Sequence, residues 1–201
     1  MNPTKTHRFT VTDGFSLEGQ LLVATPKWEH ATFGRTVCYV IHHGSQGSLG
    51  VILNRTAGHH MAAALSGMLE GTSRQNLVGN LYLGGPNPGP VVAIHRVEEH
   101  AEFASHEGIC FTASLGKLRQ LLGHHSPASG QLKVVVGQAQ WGPGQLDAQL
   151  AGGCWLVLPA IPQLVFADSE RMWSIGVREA GNRFLANLVG SRILPPHCEY
   201  N

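Results

Sequence analysis

The chain is poor in charge. Aspartate, glutamate, lysine and arginine together make up 13% of its 201 residues, and the formal net charge is +1. That is about half of ordinary usage. The few basic residues are scattered, with no Lys/Arg cluster of the kind that footprints a phosphate backbone, so nucleic acid is disfavoured as a partner. Only three aspartates are present, Asp13, Asp147 and Asp168, which leaves little material for a pair of catalytic carboxylates. No apolar run approaches the roughly 20 residues that span a bilayer, so no membrane association is expected. The opening MNPTKTHRFTVTDG carries basic residues without an apolar stretch behind them, so it does not read as a secretory leader. Cytoplasmic residence is the resulting expectation. The four cysteines, Cys38, Cys110, Cys154 and Cys198, show no CxxC spacing, which argues against zinc ribbons and thioredoxin-like chemistry. The first three lie in apolar runs and read as small core residues. Cys198, in PPHCEY, is expected to be exposed and reactive.

Glycine (25), proline (11) and histidine (12) are plentiful. Histidine occurs in three doublets, His42-His43, His59-His60 and His124-His125. Adjacent residues point to opposite faces of a strand and diverge by about 100° on a helix. A doublet is therefore a poor chelate, and neither a metal nor a cofactor is expected. The sparse charge leaves more neutral surface than a lone monomer usually shows, which favours weak self-association. No motif identifies any other partner.

Strand and helix periodicities alternate with Gly/Pro punctuation. Strands are expected at 19–25, 36–43 and 49–55, the last two forming a hairpin across GSQGS. Further strands are expected at LYL, 91–95, 108–113, 131–141 and CWLVLPA, with Gly137 marking a bulge or close packing. Gly84-Gly85-Pro86 and Gly89-Pro90 read as turn punctuators between LYL and Val91. Helices are expected from His60 to Leu69, over LGKLRQLL with Ser114 or Thr112 as N-cap, over QLDAQLA after the Gly142-Pro143-Gly144 turn, and briefly at IPQLVF. A final helix runs from Glu170, capped by Asp168 or Ser169, with Trp173, Val177 and Ala180 inward. Residues 186–201 read as a partly ordered tail. Strands in pairs with helices between the pairs, no repeat and no linker describe a single α+β domain.

Three segments offer chemistry. Arg35 and Arg55 flank apolar strands and Asn54 interrupts the second, so the three are candidates to bind an anion together. YLGGPNPGP places Gly84 and Gly85 after a strand. It lacks both GxxxxGK[ST] and GxGxxG, and its prolines remove N–H groups that a phosphate cradle needs. QWGPGQLDAQL sets Trp141 and Gln145 at a helix N-terminus, where unpaired N–H groups attract an anion. Serines 45, 48 and 114, the many histidines and the three aspartates could supply a catalytic triad. GxSxG is absent, and a triad is recognised by geometry. No catalytic residue is assigned.

The ordered motifs resemble the AlgH/YqgE family of bacterial proteins, the UPF0301 group or DUF179, over about residues 20–181. ATFGRTVCYVIHHGSQGSLGVILNRT resembles its F-x-R-S-V-Y-I … G-x-x-G-x-x-I-N-R-P stretch, matched by Phe33, Arg35, His43, Gly47, Gly50, Asn54 and Arg55. LYLGGP resembles its central GGP element. VVVGQAQWGPGQLDAQLAGGCW resembles its block G-Y-A-G-W-G-x-G-Q-L-E-x-E … W, and FADSERMW its closing F … W. This chain departs from the pattern at Thr25, Thr56, Gly116, Gln138 and Gln140, and Asp147 and Gln149 stand where two glutamates are usual. The resemblance implies an α+β fold with a mixed, strongly curved sheet and helices packed around it. Most members have no assigned function, and one carries the description of a transcriptional regulator without a recognisable helix-turn-helix. The expectation is a binding or regulatory protein. The alternatives are an enzyme acting on a small anionic substrate near Arg35, Arg55 and Trp141, and, least supported, a DNA-binding regulator.

Overall fold

The computed structural model describes residues 16–68, 77–124 and 130–189. Nine strands form one sheet: β1 (Gln20–Ala24), β2 (Val37–Gly44), β3 (Gly47–Ile52), β4 (Leu81–Leu83), β5 (Asn87–His95), β6 (Phe103–Ala104), β7 (Cys110–Thr112), β8 (Leu132–Trp141) and β9 (Trp155–Pro159). Their order is β6-β7-β5-β8-β3-β2-β1-β9, with β4 added alongside β8. Every ladder is antiparallel except β4 against β8, so the sheet is mixed as expected. Among the described residues five α-helices pack on it: α1 (His59–Met68), α2 (Leu115–His124), α3 (Gln145–Ala151), α4 (Pro162–Val165) and α5 (Ser169–Val189). The fold is a single α+β domain with a strongly curved sheet.

The strands are covered on both faces, which is why they read as continuous apolar runs rather than as alternation. Leu21, Val23, Val37, Tyr39, Val51 and Val135 enter one core with Leu164, Val165 and Met172 of α4 and α5. Leu22, Ala24, Cys38, Val40, Ile52, Ala139 and Trp141 face the opposite way, onto Leu146 of α3 and Trp155. Leu132 and Val134 meet Leu118, Leu121 and Leu122 of α2 and Ala62 and Leu65 of α1. Along β8 the residues on this second side change from even (132, 134, 136) to odd (139, 141). The phase slips at Gly137, whose φ is 81° and where an added Cβ would lie 3.0 Å from the Asn87 carbonyl oxygen, the close packing that is one of the two expectations for this glycine.

Several boundaries differ from expectation. The β2–β3 hairpin is tighter than GSQGS suggests, because Gly44 pairs with Gly47 and only Ser45 and Gln46 remain in the loop. Pro88-Gly89-Pro90 lies inside β5 rather than in a turn before it. The ladder breaks there, from Asn87↔Gln138 to Val91↔Val136, so three residues on β5 lie opposite one on β8 and neither proline owes an N–H to the sheet. Of the two expected caps, Ser114 holds the N-cap position of α2, directly before Leu115, and its carbonyl accepts the Leu118 N–H (2.9 Å). The Ser114 side chain, and then the N–H groups of Ala113 and Ser114 that the Glu102 carboxylate accepts, hold the Glu102 pKa below the usual carboxylate range. Asp168 does cap α5, its Oδ1 accepting from the N–H groups of Glu170 and Arg171. Trp173, Val177 and Ala180 pack inward as expected. The helix continues through Val189, into the segment read as tail; residues 190–201, with Cys198, lie outside the described residues, as do His125 and Leu69.

Thr112 is occupied elsewhere. Its hydroxyl donates to the His100 carbonyl (2.6 Å), so it accepts from Nε2 of the buried His95 (2.9 Å). Nδ1 of His95 accepts the Val97 N–H (3.1 Å). Both ring nitrogens are thus committed to the neutral Nε2–H tautomer. Burial, helped by His100, pushes the His95 pKa down to about 4. The unfolded imidazole protonates near 6.5, so between pH 6.5 and 4 the unfolded state binds more protons and stability falls as pH falls. About 2 kcal/mol is expected to vanish between pH 6.5 and 5. Urea unfolding at the two pH values measures it, and His95→Gln should flatten that part of the profile.

Candidate functional site

The sequence-predicted residues separate into three places. Arg35, Asn54 and Arg55 come together where β3 ends against the loop between β1 and β2. Asn54 is a clamp: its Oδ1 accepts the Val37 N–H (2.9 Å) and its Nδ2 donates to the Arg35 carbonyl (3.0 Å). Arg55 donates from Nη2 to the Gly34 carbonyl (2.9 Å). Gly84 and Gly85 follow the strand that runs beside this stretch, Leu83 donating to the Arg55 carbonyl (2.7 Å), and pack on β8. Gly84 donates to the Val136 carbonyl (2.8 Å) and accepts from the Ile52 N–H (2.8 Å). Trp141 and Gln145 form a third group. Trp141 is 3% exposed and donates its indole N–H to Gln149 Oε1 (3.0 Å). Gln145 accepts the Gly142 N–H (2.9 Å), closing the Gly142-Pro143-Gly144 turn on itself. Gly144 enters α3 with φ 69°, a left-handed value that glycine takes without strain.

The loop that Asn54 and Arg55 fasten carries a cleft of about 560 Å³, lined by Thr25, Pro26, Trp28, Glu29, His30, Ala31, Gly34 and Arg35. Its floor is aromatic. Trp28 stacks on Phe33 (6.0 Å between ring centroids) and meets Trp155 edge-on (4.8 Å), while Phe33 stacks on Trp141 (5.7 Å). Trp141 therefore supports the cleft from beneath rather than lining it. His30 Nδ1 accepts the N–H groups of Thr32 (3.1 Å) and Phe33 (3.2 Å). Arg35 is exposed, and its guanidinium carbon lies 4.5 Å from the centroid of the Trp173 ring. Among the described residues no carboxylate or carbonyl accepts from that guanidinium. Arg35 is also the one described non-glycine residue with positive φ, 56°. A left-handed arginine costs about 1–2 kcal/mol, and such strain concentrates at binding sites. Trp28, Glu29 and His30 lie between the strands expected at 19–25 and 36–43 and are not among the site residues that the sequence suggests. The available signal was the density of aromatic residues in KWEHATF.

A serine–histidine–aspartate chain is also present. Ser48 Oγ lies 2.8 Å from His43 Nδ1, and His43 Nε2 lies 3.5 Å from Asp147 Oδ1. His43 and Ser48 are direct cross-strand partners in the β2–β3 hairpin, which explains their contact. Ser48 is 7% exposed, so an ester or amide has little approach to Oγ. The chain reads as a hairpin fastening. Among the described residues no cluster of three or more histidine, cysteine, aspartate or glutamate side chains is placed to hold a metal, and no helix is long and apolar enough to cross a membrane.

Comparison with known proteins agrees with the fold and the motifs. The structure superposes on the solution structure of the AlgH protein from Pseudomonas aeruginosa with a TM-score of 0.67 at 22% identity, covering 94% of this chain and 100% of that one. A crystal structure of a Corynebacterium diphtheriae protein gives a TM-score of 0.62 at 24% identity, covering 81% and 86%. At these identities the likeness concerns the fold. In sequence, a UPF0301 protein of Methylococcus capsulatus is 33% identical over 171 residues, 81% of this chain and 91% of its own length. Another from Azorhizobium caulinodans is 32% identical over 181 residues, 84% and 87%. The family model described as AlgH-like, DUF179, matches residues 21–185. With four-fifths of the chain matched, the protein belongs to the AlgH-like UPF0301 family, whose function is largely unknown.

Proposed function

We propose that the protein is a ligand-binding protein with a regulatory role, and that it takes a small anionic molecule with a flat apolar part in the Trp28–His30–Arg35 cleft. The observation that carries this reading is Arg35. It is held in a left-handed conformation by the Asn54 clamp, stacked on Trp173, and, among the described residues, its guanidinium meets no acceptor beside a 560 Å³ concavity. A guanidinium fixed on a ring presents two parallel donors to a carboxylate or phosphate at little entropic cost. The apolar wall from Trp28 would cover the rest of the ligand. No nucleophile with an activating base lines the cleft, which favours binding over turnover.

Arg35→Gly is the decisive variant. Glycine adopts φ 56° without strain, so the fold should be kept while the cation is removed. Anionic aromatic compounds that raise the melting temperature of the wild type are expected to bind Arg35→Gly about 10–100-fold more weakly by calorimetry, the worth of one charge-assisted bidentate contact. Equal affinity in both proteins would show that Arg35 is not the recognition group.

A further inference from the structure

Lys133 sits in an apolar setting that the rest of the fold does not explain. On β8 it lies between Leu132 and Val134, which face the α1–α2 core, and so it turns to the opposite side with Val135. It is 3% exposed. Its Nζ lies 4.0 Å from the centroid of the Tyr82 ring, and among the described residues no carboxylate is within ion-pair distance and no acceptor takes its N–H groups. Beside it opens a cavity of about 210 Å³, lined among others by Asn80, Tyr82, Asp168 and Ser169. Ser169 opens the 21-residue helix α5, and its hydroxyl bonds the Tyr82 phenol. Asp168 uses Oδ1 on first-turn N–H groups of that helix.

A buried ammonium without a counter-ion lowers stability, and natural folds pair such groups or avoid them. Methionine would fill the same place without the penalty. A buried ammonium at the wall of a cavity, with no ion-pair partner among the described residues, is the arrangement of an anion site without its anion. We propose that this cavity is a binding site, separate from the Arg35 cleft, for a small oxyanion (a carboxylate or phosphate group), with Lys133 as its counter-ion. Burial pushes the Lys133 pKa down to about 8, with Asp168 opposing the shift. An anion entering the cavity favours the ammonium and raises that value.

The test uses the full chain, with inorganic phosphate and acetate as probes and chloride at matched ionic strength as control. Phosphate or acetate is expected to raise the wild-type melting temperature by a few degrees, whereas chloride does not. Lys133→Met is expected to melt higher than wild type below pH 8, where the wild type carries the buried charge, and to show no response to either anion. Arg35→Gly should respond like wild type, which separates this site from the other. In the wild type, the Lys133 side-chain NMR titration should centre near pH 8 and move up when phosphate is added. The proposal is overturned if Lys133→Met responds to anions as the wild type does, or if the Lys133 midpoint stays fixed in their presence. The NMR arm decides it even if Lys133→Met does not fold.

Discussion

Gly85→Ala is expected to cost about 4 kcal/mol or more, enough to lose the folded protein at 37 °C. A Cβ built at this position lies 2.3 Å from both the carbonyl carbon and oxygen of Gln138 and 2.5 Å from the Ala139 nitrogen. These are main-chain atoms, so no rotamer change relieves the overlap. The neighbouring residue is held as tightly: a Cβ at Gly84 would be 2.3 Å from the Gly137 carbonyl oxygen. The two glycines let the chain leaving β4 pass over β8 where three ladders converge on that strand. The cost should appear in full at equilibrium, as a lowered urea midpoint or as failure to accumulate folded protein. A glycine-rich turn kept for a ligand would behave otherwise, with Gly85→Ala sparing stability and changing only binding.

Gln149→Leu is expected to lose about 3 kcal/mol. Gln149 Oε1 accepts two indole N–H groups, from Trp141 at 3.0 Å and from Trp155 at 2.9 Å. Both rings are buried, at 3% and 4% exposure, and they meet edge-on at 6.3 Å. Leucine keeps the volume and removes the shared acceptor, leaving two donors desolvated at roughly 1–3 kcal/mol each. Gln149→Glu keeps an acceptor and should cost far less. Urea unfolding followed by tryptophan fluorescence reads both variants. Equal loss in the two would mean that side-chain packing, not the shared oxygen, matters at this position.

The two variants show where sequence and structure part. Strand and helix order was legible because each run is apolar on a recognisable period and ends at glycine or proline. Pro88-Gly89-Pro90 misled, since proline marks a turn only when the ladder needs its N–H, and at this break in β5 it does not. At the candidate site, the grouping of Arg35 with Asn54 and Arg55 followed from strand ends that pair in a hairpin. What Asn54 does, fastening two backbone groups, depends on a register that sequence does not display. Gln149 stood out only as a departure from a usual glutamate; the structure explains the position by its need for an acceptor between two indoles. Lys133 was hidden within KVVV because the run reads as a buried strand. Its signal was a cation on a strand covered on both faces.

Ligand binding is proposed at the cleft of the β1–β2 loop. The most direct measurement is two-dimensional NMR of the protein with an anionic aromatic ligand found by thermal shift. Binding at the proposed place should move the indole N–H resonances of Trp28 and Trp173 together with the amides of His30 and Arg35, and these shifts should vanish in Arg35→Gly. Shifts confined to other surfaces, or unchanged in Arg35→Gly, would contradict it.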